Sequence, residues 1–301
     1  QAPMRDSRLT EQRNPKSTKI DKLDVLGIVD LINNEDRLVA AAVSDEREAI
    51  ARAIELVEKA FQGGGRLVYV GAGTSGRLGV LDAAEMPPTF GVDPGMVHGV
   101  IAGGYQALVR SQEGAEDHLE DGAAAINNLD VGQRDFVLGI ATSGSTPYVH
   151  GALSRARELG ARTGFLLCTS PPAALLSEHD VVIAPLVGAE VITGSTRMKA
   201  GTATKLVLNT ITTGAMVRIG KVYSNLMVDL QVTCEKLRDR GERILSELLN
   251  LDQPAAAALL DRASGDVKTA LVMGHLGIDR EEALKRLDAA GGVVSMVIGG
   301  L

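Results

Sequence analysis

The sequence predicts an α/β protein: a doubly wound, mainly parallel five-stranded sheet followed by a small C-terminal helical region. Three observations carry that expectation. Short apolar runs recur at residues 67 to 70, 97 to 101, 136 to 140, 164 to 168 and 181 to 185, and most leave room for a helix before the next, which is the rhythm of βαβ units. The runs are apolar almost without interruption, as strands covered on both faces are. Beyond Asp252-Gln253-Pro254 the pattern changes to Ala-rich helix.

Taken in order, a polar entry containing Arg13-Asn14-Pro15 leads to a helix signalled from Ser44, with Asp45 and Glu46 in its first turn and Ile50, Ile54, Val57 and Phe61 on one face. Gly63-Gly64-Gly65 ends it. After the fifth run, residues 200–219 are long and weakly charged and read as a buried helix; residues 228–249 read as another with a more charged face. Apolar helices of this kind also suit a subunit interface. Further helices are expected at 264–274 and 279–289. The expected division is an N-terminal arm with helices over 1–62, the α/β domain over 63–250 and a small helical domain over 251–301.

Composition narrows the function. Aromatic residues make up 3% of the chain, with no Trp, so stacking on bases or sugar rings is not expected to dominate recognition. A net charge of −7 without a basic run argues against a nucleic-acid surface, so an anionic substrate must be held by local donors. Cys168 and Cys234 form no CxxC pattern and are expected as small buried thiols in a reducing compartment. The N-terminus is polar up to Lys19, and no apolar run approaches the ~18 residues that span a bilayer. A cytoplasmic protein with neither a membrane nor a nucleic-acid partner is the expectation.

The loop Gly71-Ala72-Gly73-Thr74-Ser75-Gly76-Arg77 leaves the first strand and fits the GxGxxG pattern of dinucleotide sites. Such a site also wants an acid about 20 positions later, at the end of the next strand. Here that strand ends in Ala102-Gly103-Gly104. Thr74 and Ser75 instead put two hydroxyls beside the backbone donors of a helix N-terminus, which suits a compact terminal phosphate.

Ligands of open α/β sheets sit outside the carboxyl ends of the strands, and the loop after residues 136 to 140 is a second hydroxyl-rich turn, Ala141-Thr142-Ser143-Gly144-Ser145-Thr146-Pro147. Two such turns at one sheet edge can form a phosphate site without a positive cluster; alternatively, Ser143 and Thr146 only cap the helix they open. A third segment, Thr193-Gly194-Ser195-Thr196-Arg197-Met198-Lys199-Ala200-Gly201-Thr202, concentrates hydroxyls with two cations. Arg197 or Lys199 either meets a carboxylate or phosphate or is a solvated surface charge.

Among the acids, Glu85 precedes Met86-Pro87-Pro88, so the prolines should stop its helix there. The negative end of the helix dipole and apolar neighbours should then raise its pKa, the environment of a proton donor. Glu113, Glu116 and Asp117 share one face near the start of a helix running towards Asn128, where a carboxylate is favoured as the anion. They are either a base or an acidic, solvated first turn. Glu190 follows the last strand without a hydroxyl-rich turn beside it and ranks second. His98, His118, His150, His179 and His275 show no HxxxH or HxH spacing, so no zinc site is expected.

Together these segments resemble the N-acetylmuramic acid 6-phosphate etherase family, within the sugar isomerase (SIS) domain proteins. The resemblance runs through Arg13-Asn14-Pro15, Gly71 to Gly79, Asp82-Ala83-Ala84-Glu85-Met86-Pro87-Pro88-Thr89, Glu113-Gly114-Ala115-Glu116-Asp117 and Gly194 to Thr202. It implies an SIS α/β sandwich, a homodimer with sites near the subunit interface, and a helical tail. It further implies a lyase that cleaves the C3 D-lactyl ether of N-acetylmuramic acid 6-phosphate by elimination and hydration. The products are N-acetylglucosamine 6-phosphate and D-lactate, in the recycling of cell-wall amino sugar, and neither metal nor redox cofactor is needed.

By the same resemblance Glu85 is the acid and Glu116 the second catalytic carboxylate, assigned as base. Thr74, Ser75, Ser143, Gly144 and Thr146 bind phosphate, and Ser195 and Thr196 are possible substrate contacts. The chain departs from its relatives at Ala141, where SIS isomerases carry more hydroxyls, and at Ser145, where the etherase pattern has Arg. An aldose-ketose isomerase would use the same C2 base without expelling a C3 group. A sugar-phosphate sensor of the glucokinase regulatory protein type would be expected to carry two such domains.

Overall fold

The computed structural model describes residues 9–232 and 234–300; the start of the expected N-terminal arm, residues 1–8, lies outside them. Among the described residues three short 3-10 turns, Leu9–Glu11, Pro15–Ser17 and Ile20–Lys22, precede the helices α1 (Val25–Asp36), α2 (Val39–Asp45) and α3 (Arg47–Gln62). The strands β1 (Leu67–Gly71), β2 (Val97–Ile101), β3 (Phe136–Ile140), β4 (Arg162–Leu166) and β5 (Val181–Ile183) then alternate with helices. α4 (Gly73–Phe90) joins β1 to β2, and α5 (Gln106–Val109) and α6 (Leu119–Asn128) lie between β2 and β3. α7 (Pro147–Glu158) and α8 (Ala173–Glu178) serve the next two connections, and α9 (Lys199–Arg218) follows β5.

The five strands form one parallel sheet in the order β2-β1-β3-β4-β5. The winding therefore reverses between β1 and β3, and the crevice outside their carboxyl ends is where a ligand of such a sheet belongs. β1 and β3 are buried along their whole length, which explains their unbroken apolar runs. Side chains alternate between faces: Val68, Val70 and Val137 join Phe165 and Leu167 against Ile126 of α6 and Val149 and Leu153 of α7. On the opposite face the Tyr69 hydroxyl donates to Asp82 of α4 at 2.8 Å.

After α9 come a short antiparallel hairpin, β6 (Val222–Tyr223) and β7 (Leu226–Met227), and the helices α10 (Glu235–Leu249), α11 (Gln253–Arg262), α12 (Val267–Leu276), α13 (Arg280–Ala289) and α14 (Val294–Ile298). α11, α12 and α13 each start on an Asp whose carboxylate accepts an amide of the first turn, at 2.9, 2.6 and 2.9 Å for Asp252, Asp266 and Asp279. Leu245, Leu260, Leu271 and Val294 share their core. The chain divides into two compact units, Gln1–Glu85 with Pro94–Thr212 and Met86–Asp93 with Thr213–Leu301.

Several boundaries differ from expectation. α3 starts at Arg47, because Ser44 and Asp45 close α2. α10 starts at Glu235, since residues 228–232 are irregular, with Val228 and Leu230 buried and Gln231 bridged to Asp266. β4 sits two residues earlier than its apolar run. Most consequential, α4 continues through Pro87 and Pro88 to Phe90. The prolines remove two amide donors, but Met86 and Phe90 are buried on either side and the turn stays helical. Cys168 is buried as expected, and burial pushes its thiol up to about 12. Cys234 is exposed, because it stands at the N-cap of α10. Among the described residues no helix is long and apolar enough to cross a membrane.

Candidate active site

The turn after β1 closes on itself. A Cβ on Gly76 would stand 2.8 Å from the Gly71 carbonyl oxygen, and one on Gly71 would stand 2.7 Å from the Gly76 nitrogen. Gly73 has φ of +53°. Glycine is therefore required by contact at two of these positions and by conformation at the third. α4 begins at Gly73, so Thr74 and Ser75 lie in its first turn, where backbone amides lack helical partners.

The turn after β3 opens α7. Thr146 occupies the N-cap but makes no side-chain capping hydrogen bond, and Pro147 follows at the first helical position. The capping role considered for Thr146 is thus not realised. Ser143 Oγ and Ser145 Oγ lie 3.0 Å apart. Gly144 holds φ of +75°, and its carbonyl takes a hydrogen bond from His150 Nε2 at 2.9 Å.

Between the two turns is a cavity of about 350 Å³, lined by Thr74, Ser75, Ser143, Ser145, Thr146 and Thr196 together with Glu11, Glu116 and Asp117. Among the described residues no Lys or Arg lines it. Two helix N-termini meet there instead, each with the positive end of its dipole and unpaired amides, and that arrangement favours a compact anion ringed by hydroxyls.

The third segment reaches the cavity through Gly194 and Thr196, whereas Ser195 does not line it. Its cations have different fates. Arg197 is exposed. Lys199 is buried, its Nζ 2.7 Å from Glu35 Oε2, while Lys16 Nζ and Asn14 Nδ2 hold the same carboxylate at 2.9 and 2.8 Å. Burial pushes the Glu35 carboxyl up, but these donors and the Lys199 charge outweigh it and hold the carboxyl at about 2. The stabilisation that Glu35 supplies is therefore complete above about 4.5, the ordinary value, and is lost as pH falls towards 2. Lys199→Met is expected to leave this carboxylate undercompensated and to lower unfolding free energy by about 3 kcal/mol, measured by urea denaturation.

Glu190, the second-rank acid, faces away from the cavity's chemistry. Its carboxylate accepts the amides of Lys199 and Ala200 at 3.1 and 3.0 Å, capping α9, and burial raises its pKa. Asn14 Nδ2 also donates to the Ala189 carbonyl at 3.1 Å, and the Gly194 amide donates to the Thr10 carbonyl at 3.2 Å. These bonds bring Glu11 to the cavity. Nothing in the residue pattern around Glu11 signals that position, which depends on contacts across 175 residues and more.

Glu116 and Asp117 belong to a 3-10 turn, Ala115–Asp117, that precedes α6; the first-turn acids of α6 are Glu120 and Asp121. The acidic cluster is thus outside the helix, because Gly114, at φ of +75°, starts a separate turn. Within it Glu116 and Asp117 line the cavity and Glu113 does not.

Glu85 lies elsewhere. α4 does not end there, so no helix C-terminus faces it, and its side chain is exposed. Twelve residues separate it from Gly73, which at about 1.5 Å per residue is about 18 Å along the helix. One turn earlier, Asp82 is buried and fixes the rotation of α4: it accepts from Tyr69 at 2.8 Å, Asn209 at 2.6 Å and Thr212 at 3.2 Å. Burial raises the Asp82 pKa despite these donors. Leu81, on the face of Glu85, is 54% exposed.

The fold therefore gathers Thr74, Ser75, Ser143, Thr146, Thr196 and Glu116 around one cavity, and leaves Gly144, Ser195 and Glu85 off its lining. Among the described residues no cluster of His, Cys, Asp or Glu is arranged to hold a metal ion.

Comparison with known proteins bears on what such a cavity holds. Residues 49–157 match the family described as the glucokinase regulatory protein N-terminal SIS domain. Over nearly the whole chain the similarity is to proteins named N-acetylmuramic acid 6-phosphate etherase. One from Synechococcus elongatus is 57% identical over 275 residues, 91% of this chain and 89% of that one. One from Salinibacter ruber is 55% identical over 292 residues, covering 97% and 94%. One from Gloeobacter violaceus is 52% identical over 296 residues, covering 98% and 96%.

Proposed function

The chain belongs to the N-acetylmuramic acid 6-phosphate etherase family, and we propose from that premise that Glu116 and Glu85 cleave the C3 lactyl ether of N-acetylmuramic acid 6-phosphate. The products are N-acetylglucosamine 6-phosphate and D-lactate, in amino-sugar recycling in the cytoplasm. The observation that carries the reading is the placement of Glu116 on a hydroxyl-ringed cavity at the β1/β3 switch point.

The phosphate sits at the starts of α4 and α7, held by amides and by the hydroxyls of Thr74, Ser75, Ser143 and Thr146, with Thr196 beside the sugar. In the open-chain aldehyde the C2–H bond is acidified by the adjacent carbonyl. Glu116 takes that proton, the C2 electrons form the C2–C3 double bond, and the C3–O bond breaks. Glu85 protonates the departing lactate oxygen. Water then adds its oxygen to C3 and a proton returns to C2, so the sum is ether plus water to two products.

At about 18 Å along α4, Glu85 is too far to serve the cavity of its own chain, so the acid comes from a second copy in a homodimer. The exposed Leu81 beside Glu85 and the exposed Val25, Leu26 and Val29 of α1 support an apolar subunit contact. Incubation with N-acetylmuramic acid 6-phosphate is expected to release D-lactate together with N-acetylglucosamine 6-phosphate. Isomerised sugar without lactate, or no turnover by folded protein, would sink the reading.

A further inference from the structure

A second chamber, of about 290 Å³, adjoins the phosphate cavity and shares Ala72, Gly73 and Glu116 with it. Its lining includes Ala102, Ala107 and Ala115, Glu113, and Arg77, among the described residues the one cation that lines either space. Arg77 projects from α4 one turn beyond Gly73. Its Nε donates to the Leu108 carbonyl at 3.1 Å, and it forms no ion pair among the described residues. A guanidinium carries five N–H donors, so this bond fixes the group while leaving the others available to a ligand.

Resting on the reading above, we infer that this second chamber takes the D-lactyl arm of the substrate, with Arg77 binding its carboxylate and the alanine wall receiving its methyl group. The placement follows from connectivity. With the phosphate at the first cavity and C2 at Glu116, which stands on the boundary, the C3 substituent continues into the adjoining space. A carboxylate there meets Glu113 and Glu116, both repulsive, and among the described residues Arg77 is the cation that makes the chamber acceptable to it; planar two-point pairing is the geometry that Arg offers and Lys does not. Arg77 is thereby a specificity residue for a substrate bearing an acidic ether arm, which a sugar phosphate without that arm does not require.

The test compares two substrates on one variant. Lactate release from N-acetylmuramic acid 6-phosphate reads binding with the arm, and exchange of the C2 proton of N-acetylglucosamine 6-phosphate in D2O reads the same phosphate site and base without it. Arg77→Gln is expected to raise KM for the first by about 10- to 100-fold relative to the second, to abolish competition by added D-lactate, and to be partly rescued by Arg77→Lys. Equal losses on both substrates would make Arg77 structural and overturn the inference, as would an unchanged KM ratio. If the unsubstituted protein releases no lactate, the etherase reading itself fails and takes this one with it, an outcome visible before any variant is made.

Discussion

Replacing Glu116 by Gln is expected to lower both D-lactate release and C2-proton exchange by about 10²- to 10⁴-fold, the usual worth of a positioned general base. The amide keeps the size of the side chain but has no basic oxygen pair, so the loss is chemical rather than steric. Phosphate binding is proposed to rest on Thr74, Ser75 and the turn at Ser143 to Thr146, so the affinity of the variant for N-acetylglucosamine 6-phosphate should change little. Calorimetric titration measures that affinity, and NMR in D2O measures the exchange. Retention of exchange in the variant would move the base to another group, with Asp117, the neighbouring acid on the cavity lining, first in line.

Glu85→Gln is expected to separate the two steps that Glu116→Gln removes together. An alkoxide is a poor leaving group, so without a proton donor ether cleavage should fall by about 10²- to 10⁴-fold, while proton removal at C2 continues. The variant should wash deuterium into C2 of the substrate without releasing lactate at the normal rate. Because Asp82, not Glu85, carries the buried bonds to Tyr69, Asn209 and Thr212, the substitution should leave the melting temperature close to that of the unsubstituted protein. Unimpaired lactate release would remove Glu85 from the mechanism.

The sheet was legible because β1 and β3 are buried on both faces and so appear as unbroken apolar runs; the strand order β2-β1-β3-β4-β5 left no such trace, since doubly wound sheets occur in more than one order. The two hydroxyl turns were legible for a related reason. Gly71 and Gly76 are forced by close backbone approach and Gly73 by its φ, so the loop announces itself in composition. Helix ends were less so. Pro87 and Pro88 ordinarily stop a helix, and only the buried Met86 and Phe90 flanking them explain why α4 runs on. That error placed Glu85 at a helix terminus it does not occupy.

Long-range pairings left no local trace. Lys199 read as a cation at the substrate or at the surface, yet it is buried on Glu35, 164 residues away in sequence. Glu190 read as a spare acid and caps α9. Glu11 reaches the cavity because the Thr10 carbonyl accepts the Gly194 amide. Such contacts follow from the fold, and no spacing rule applied to one segment discloses them.

That each site joins Glu116 of one copy to Glu85 of another is tested by mixing the two inactive variants. Glu85→Gln and Glu116→Gln chains, unfolded and refolded together in equal amounts, give mixed dimers in about half of the population, each with one intact site and one doubly substituted site. Lactate release should recover to about a quarter of the unsubstituted level. No recovery, in a mixture shown by mass spectrometry to contain the mixed dimer, would place both carboxylates of a site on one chain and contradict the account.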